Sequence, residues 1–352
     1  MLSMPDMPIR NFLRKTLPAD IYGQLRTMKN SPARILQSVT DRCGFVIARK
    51  SDYYSPLPSR RALRATMERW AKPSSMLGVE YDIAGMKVIL ADLVGRYSEE
   101  FMGLLPYEEA LRLGFGPGYT RLDAMVLYAM VRSKKPAHYV EVGSGLSTYY
   151  ASLAGRRNAL EGRPMKITCV EPYPFAALKT LPGINVIQQQ VQDVGLGLFT
   201  SLDKNDVLFI DSSHIVRLDG DVPFLFLEVL PAMRSGPLIH VHNIPFPYHC
   251  PYPAGHWIYK EVWPMWWNES MLLQALLCGN NQFAVILSTP LIRFHDEAFL
   301  RERVPDYKDI GQDPNTFSSI WLKRIGDQIG QRPLSAPSPT IAPESIPPSF
   351  RA

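Results

Sequence analysis

The most constraining feature of this chain is a short stretch in which a strand pattern runs into a glycine turn. Residues 138–142 read HYVEV, a β-branched and aromatic run, and the small residues Gly143, Ser144 and Gly145 follow directly. The segment after the turn can be helical. A strand, a tight turn and a helix in this order predict the first unit of a nucleotide-type α/β fold.

The composition of this turn limits what it could bind. A dinucleotide fingerprint carries a third glycine, and a phosphate-binding P-loop carries a lysine after the turn. Thr148 stands at the position of the third glycine, and the turn is followed by no lysine. Glu141 would repel a pyrophosphate, but its carboxylate could bind a cationic amino-acid group. We therefore expect the turn to bind a cofactor without phosphates.

Four further strand patterns follow, and each of them leads into polar residues. They cover residues 166–170, 185–187, 206–210 and 238–241. In an open parallel sheet, ligands bind at the carboxyl ends of the strands, so polar residues collected there predict a binding site. The polar residues at these ends are Glu141, Glu171, Asp193, Asp211, His214, His242 and Asn243.

Two of these strand ends suit parts of a nucleoside. A carboxylate such as Glu171 can accept hydrogen bonds from two vicinal hydroxyls, as a ribose requires. The alternative is a solvated glutamate at a strand end. The side chains of residues 190–193, which read QVQD, could reach an adenine amino group.

These motifs resemble those of class I S-adenosylmethionine-dependent methyltransferases, over roughly residues 114–324. The resemblance is strongest to a bacterial subgroup, through the glycine loop EVGSGLST and the sequence IDSSH at the end of the fourth strand. It implies an α/β fold with a Rossmann-like sheet of seven mostly parallel strands and helices on both faces. It also implies S-adenosyl-L-methionine as the cofactor.

The resemblance assigns a role to each matching position. The loop 141–148 would hold the methionine part of the cofactor, Glu171 the ribose and Asp193 the adenine. Asp211 would lie near the methyl-transfer centre, and Tyr119 near the methionine end. The expected cofactor-binding residues are Tyr119, Glu141, Gly143, Ser144, Gly145, Ser147, Thr148, Glu171, Asp193 and Asp211.

The expected reaction is methyl transfer to a small-molecule or glycan acceptor, at a hydroxyl oxygen. The protein then has to align the reactants and exclude water. A hydroxyl must also lose its proton, and histidine is the suitable base near neutral pH. The predicted catalytic residues are His242, then His214, together with Asp211. Either histidine could instead be a hydrogen-bonded structural residue.

Three alternatives stay open. Metal-assisted O-methyltransferases present oxygen ligands at the positions of Asp211, His242 and Asn243. Relatives commonly carry His-Asp at the last two positions, whereas Asn243 cannot ionise. One carboxylate suits a hard cation poorly, so we predict no metal site. A non-catalytic module that binds the cofactor or a partner is the second alternative. A nicotinamide oxidoreductase is the third, and the missing third glycine disfavours it.

The chain divides by composition. We expect a basic, mainly helical region over 1–110 and a methyltransferase domain over 111–326. Within the domain, an aromatic and proline-rich insertion at 245–267 could form an acceptor pocket or only pack on the sheet. Residues 327–352, rich in Pro and Ser, should be disordered.

Charge and composition bear on partners and location. Residues 1–72 carry 14 Lys and Arg against 5 Asp and Glu, which indicates either a surface for an anionic partner or a solvated basic face. The pattern lacks nucleic-acid motifs, so no nucleic-acid partner is expected. Without a signal or a transmembrane run, the chain is expected to be soluble and cytoplasmic. Its oligomeric state is not predicted.

Overall fold

A computed structural model describes residues 39–40, 42–43, 45, 57–116, 118–250, 258–259, 265–309 and 318–326. The expected tail at 327–352 lies outside these residues, as do residues 1–38 and 46–56 of the basic N-terminal region and parts of the aromatic insertion. The chain forms two compact units, Met1–Thr66 and Met67–Ala352. In the first unit, helix α1 spans Arg60–Ala65 and begins at Ser59, whose side chain accepts a hydrogen bond from the Ala62 amide.

The second unit is built on a sheet of seven strands in the order β3-β2-β1-β4-β5-β7-β6. The first five strands run parallel, and β7 runs antiparallel to both β5 and β6. This confirms the predicted Rossmann-like sheet of seven mostly parallel strands. The strands are β1 (His138–Val142), β2 (Lys166–Val170), β3 (Ile184–Ile187), β4 (Val207–Ile210), β5 (Leu238–His242), β6 (Phe283–Ser288) and β7 (Ser319–Arg324).

Every residue of the central strands β4 and β5 is buried, so both faces of the sheet are covered there. Such double coverage is typical of parallel sheets. The described helices of this unit are α2 (Met67–Trp70), α3 (Ile83–Met102), α4 (Tyr107–Ala110), α5 (Arg121–Lys134), α6 (Leu146–Leu160), α7 (Gly197–Thr200), α8 (Asp221–Phe224), α9 (Leu230–Ala232), α10 (Glu269–Leu277) and α11 (Thr289–Arg303). Three short 3₁₀ helices (Leu111–Leu113, Ala176–Thr180, Val191–Asp193) and a π-helical segment (Leu225–Val229) complete the set.

Helix α5 forms part of the core beside the sheet. It begins at Thr120, whose hydroxyl oxygen accepts a hydrogen bond from the Asp123 amide at 3.2 Å. The residues from Leu122 to Arg132 are all buried. Helix α3, which the sequence analysis assigned to the N-terminal region, packs against α5 and β6. Among the described residues, we find no helix with the length and apolar character needed to cross a membrane.

Candidate functional site

The turn between β1 and α6 is fixed against the end of β4. Gly143 has a φ of 88°, a left-handed conformation that favours glycine. A Cβ atom at this position would lie 2.1 Å from the carbonyl oxygen of Asp211. The Asp211 amide also donates a hydrogen bond to the carbonyl oxygen of Val142, at 2.9 Å. Position 143 therefore requires glycine, because the backbone after β4 passes directly against it.

The carboxyl group of Glu141 is fully buried beneath this turn. The hydroxyls of Ser147 and Thr148 donate hydrogen bonds to its two oxygens, at 2.5 and 2.6 Å, and the Cys169 thiol lies 3.6 Å away. Burial raises the pKa of Glu141 to about 8, although these hydrogen bonds oppose the shift. Glu141 is therefore mostly neutral at pH 7, and it ties the first turn of α6 to β1.

A cleft of about 350 Å³ opens at the carboxyl ends of β1, β2 and β4. Three of the predicted site residues line it, namely Gly143, Glu171 and Asp211. The full lining is Val142, Gly143, Val170, Glu171, Pro172, Tyr173, Gln190, Val191, Gln192, Asp211, Ser212, Ser213, Arg217 and Asp221.

Glu171 follows β2 directly and is half-buried at the cleft wall. One carboxylate oxygen accepts a hydrogen bond from the Tyr173 amide at 2.8 Å, and the other lies 3.5 Å from the Ser144 hydroxyl oxygen. A carboxylate offers about four acceptor positions, so Glu171 retains acceptor capacity. Gln190 and Gln192 line the same cleft and supply amide groups to it.

The structure does not bring the other predicted cofactor-binding residues to the cleft wall. Tyr119 is buried, with its ring 4.7 Å from that of His242 and its hydroxyl donating to the Asp123 carbonyl oxygen at 3.3 Å. Asp193 is exposed. The cofactor-binding roles of these residues remain predictions: Tyr119, Glu141, Ser144, Gly145, Ser147, Thr148 and Asp193.

Two histidines share the carboxylate of Asp211. Its Oδ1 atom lies 3.2 Å from Nε2 of His214 and 3.2 Å from Nδ1 of His242. The second nitrogen of His214 lies 2.7 Å from a carboxylate oxygen of Glu269, and that of His242 lies 3.4 Å from one of Asp123. Each imidazole is therefore placed between two carboxylates.

These carboxylates determine the charge of the two histidines. Burial opposes protonation of His242, but the nearby carboxylates of Asp211 and Asp123 outweigh it and raise the pKa of His242 to about 10. In the same way, Asp211 and Glu269 outweigh burial and raise the pKa of His214 to about 9. The two imidazoles in turn outweigh burial at Asp211 and hold its pKa well below the usual range. At neutral pH, both rings are cations whose nitrogens face carboxylates.

Asp123 and Glu269 are site residues that the strand ends did not predict. Asp123 stands in the capping sequence TRLD at the start of α5, where a carboxylate has a sufficient local role. Glu269 begins α10 after Asn268, where an acidic residue is favoured by the helix dipole. In the structure both carboxylates are almost fully buried, and a buried carboxylate needs a partner. Their burial, which the sequence does not show, is what identifies them as site residues.

The positions expected in a metal-assisted enzyme do not fit a cation well. The Oδ1 atom of Asp211 is shared between two imidazoles, and the Asn243 amide donates to the Ser318 hydroxyl at 3.3 Å. Within the described part of the chain, no group of three or more His, Cys, Asp or Glu residues is arranged to hold a metal ion.

Comparison with known proteins gives weak overall similarity. A protein of Archaeoglobus fulgidus described as uncharacterized is 26% identical over 163 residues, which is 44% of this chain and 72% of the relative. An O-methyltransferase from Bacillus cereus, solved in complex with SAH, is 13% identical and covers 68% of this chain and 100% of its own, with a TM-score of 0.40. A putative O-methyltransferase from Klebsiella pneumoniae is 12% identical and covers 68% and 99%, with a TM-score of 0.41.

One comparison concerns the region that contains the cleft. Residues 140–244 match a family model described as a methyltransferase domain. This range begins within β1 and ends just after β5, so it includes Glu171, Asp211 and both histidines that contact Asp211. The chain therefore carries, over this range, the sequence pattern of a methyltransferase domain.

Proposed function

We propose that the protein transfers a methyl group from S-adenosyl-L-methionine to a hydroxyl oxygen of a small-molecule or glycan acceptor. One observation carries the proposal. The cleft at the carboxyl ends of β1, β2 and β4 presents Glu171 and Asp211 beside a glycine turn, within the range that matches a methyltransferase domain. This is where an open α/β sheet binds its ligand.

The residues of the cleft fit this cofactor. Glu171 can accept hydrogen bonds from two ribose hydroxyls, and the amides of Gln190 and Gln192 can bind a base edge. Three carboxylates of the lining, Glu171, Asp211 and Asp221, outweigh the cation of Arg217, which favours a cationic ligand over a phosphate-bearing one. When bound, the cofactor supplies a methyl group that its sulfonium has already activated.

The chain's own residues then have to position the acceptor and exclude water. Of the three predicted catalytic side chains, Asp211 is the one that lines the cleft. We assign it the position next to the reacting groups, where its carboxylate stabilises positive charge. His242 and His214 contact Asp211 from behind this wall, and their ring nitrogens face carboxylates. Since both rings are already protonated, the proton of the acceptor hydroxyl is released to solvent, and the products are the methyl ether, S-adenosylhomocysteine and a proton.

Ligand titration tests the proposal directly. Calorimetric titration of the full chain should give saturable binding of S-adenosylmethionine and none of NAD. Glu171→Ala should weaken S-adenosylmethionine binding by about 10- to 100-fold, because hydrogen bonds to a charged group are lost. The matched control Glu228→Ala, an exposed glutamate outside the cleft lining, should leave the affinity unchanged.

Two results would reject it. Binding of NAD without S-adenosylmethionine would favour the oxidoreductase. Binding of S-adenosylmethionine with no label transferred from its methyl group to any small-molecule or glycan fraction would favour the non-catalytic module.

A further inference from the structure

Five ionisable side chains form one continuous buried series that extends from the cleft wall into two helices. Acidic and basic groups alternate along it, with closest approaches of 3.4, 3.2, 3.2 and 2.7 Å. In order, the members are Asp123, His242, Asp211, His214 and Glu269.

The five members come from four separate places in the chain. Asp123 belongs to the first turn of α5, and Glu269 is the first residue of α10. His242 ends β5, while Asp211 and His214 belong to the loop after β4. The series therefore links two helices to the loop that forms one wall of the cleft.

The carboxylate of Asp123 and the backbone at Glu269 are anchored by further contacts. The side chain of Asp123 accepts hydrogen bonds from the hydroxyls of Thr120, at 2.7 Å, and Ser319, and it faces the Ser318 amide at 3.3 Å. The start of α10 is bound to the same loop through its backbone, because the amides of Asn268 and Glu269 donate to the His214 carbonyl oxygen at 3.0 and 3.2 Å.

Solvent reaches this series mainly at Asp211. Its side chain is 28% exposed, against 0% for Asp123 and His242, 8% for His214 and 2% for Glu269. Asp211 is also the one member that lines the cleft. The other four residues can therefore influence a ligand chiefly through Asp211.

We infer that Asp123 and Glu269 are positioning residues: acting through His242 and His214, they hold the Asp211 carboxylate ionised and fixed at the cleft wall. The inference rests on the proposed function, since it concerns how the cofactor cleft keeps its charge. If both histidines are protonated, the five groups carry a net charge of about −1, and the charge reaches the cleft at Asp211.

The surroundings of the two rings support a fixed role. His242 faces Asp211 and Asp123, with the Tyr119 ring at 4.7 Å and the neutral His240 ring at 6.1 Å. His214 faces Asp211 and Glu269, and its ring contacts Trp267 at 4.5 Å. A general base needs an unprotonated nitrogen directed at the acceptor, and neither ring offers one.

A double-mutant cycle on cofactor binding tests the inference. Glu269→Gln keeps a hydrogen-bond acceptor for His214 but removes the charge. It should weaken S-adenosylmethionine binding by about 3- to 10-fold, while Asp211→Asn should weaken it by about 10-fold or more. In the Asp211→Asn background, Glu269→Gln should have no further effect within about 2-fold. Glu269→Asp should restore part of the affinity, and Glu228→Gln should change nothing.

Asp123→Asn should behave like Glu269→Gln, provided that circular dichroism shows a folded chain. Additive losses in the cycle, or an unchanged affinity in Glu269→Gln, would overturn the inference, because a purely structural contact does not depend on Asp211.

A titration of the histidine ring protons by NMR, which needs no ligand, separates this inference from the proposed function. The signals of His214 and His242 can be assigned by substitution. They should show that both rings are still protonated at pH 8, and Glu269→Gln should lower the titration midpoint of His214. Midpoints near 6.5 in the wild-type chain would overturn the inference even if the cofactor binds. If the cofactor does not bind while the midpoints are high, the proposed function fails and the positioning role fails with it.

Discussion

Two carboxyl groups at neighbouring strands of one sheet, Glu141 fully buried and Asp211 28% exposed at the cleft wall, have different charge states at neutral pH. Glu141 lies in β1 and Asp211 follows β4, which pairs with β1. Burial favours the neutral form of both groups. Glu141 is surrounded by two hydroxyls and a thiol, which leave it mostly neutral, whereas Asp211 contacts two imidazoles and stays ionised. The two imidazole partners thus keep Asp211 charged against the desolvation that leaves Glu141 neutral.

The histidines of β5 repeat this contrast within a single strand. His240 and His242 are both fully buried. His240 stacks on the Phe209 ring at 4.4 Å, and burial, together with the charge of His242, lowers its pKa to about 3. His242 lies between two carboxylates, and its pKa rises to about 10. His240 and His242 are only two residues apart in β5, yet the His240 ring is neutral and the His242 ring is a cation.

The largest expected effect is a fall in the free energy of unfolding at high pH, as His214 and His242 lose their protons. The pKa values of His214 and His242 are raised from 6.5 to about 9 and 10, so the stability that they contribute is complete below pH 6.5 and is lost as the pH rises through 9 and 10. The loss should reach about 1.4 kcal/mol per pH unit for each proton released. Urea unfolding between pH 6 and 10 measures it. A constant free energy of unfolding from pH 7 to 9 would show that the rings are not held as cations.

Removal of one outer carboxylate should give the next largest effect. Asp123→Ala leaves the buried His242 cation with one partner fewer, which should reduce the free energy of unfolding by about 3–5 kcal/mol at pH 7. The control Asp92→Ala breaks an exposed ion pair with Arg96, of length 3.1 Å, and should cost less than about 1 kcal/mol. Equal losses in the two variants, measured by urea unfolding, would contradict the charged state of His242.

Much of the fold was predictable from local patterns. The strand patterns, the glycine turn and the capping sequence at the start of α5 all depend on residues close together in the chain, and the predicted seven-stranded sheet is confirmed. The cleft position was also predictable in part, because Glu171 and Asp211 directly follow strands and parallel strands end at a common edge.

Local patterns did not predict whether a side chain at a strand end points into the cleft or into the core. Glu141 stands one residue before the end of β1, and the side chains of a strand alternate between its faces, so a shift of one residue separates a cleft position from a buried one. Val142 lines the cleft and Glu141 does not. The contacts of Asp123 and Glu269 with histidines join residues that are 119 and 55 positions apart, and no local pattern encodes such a pairing.

The glycine turn that separates the two carboxyl groups should be sensitive to a single methyl group. Gly143→Ala adds the strain of a φ of 88° to a contact of 2.1 Å with the Asp211 carbonyl oxygen, and we expect a loss of about 1–3 kcal/mol in stability. The control Gly162→Ala has a similar φ of 75°, but its Cβ would meet no atom within 4 Å. The difference between the variants measures the contact alone, and equal losses would show that the turn can move away from β4.

The smallest effect is expected where the comparison began, at Glu141. Glutamine reproduces the neutral acid, because an amide also has one donor side and one acceptor side. Glu141→Gln should therefore change the free energy of unfolding by less than about 1 kcal/mol at pH 4, where the glutamate of the unfolded chain is also mostly neutral. The pKa of Glu141 is raised from 4.5 to about 8, so its contribution to stability is complete below pH 4.5 and is lost as the pH rises from 4.5 to 8, and the variant should become the more stable protein within this range. A large loss at pH 6 would mean that Glu141 is ionised, and the two carboxyl groups would then not differ in charge.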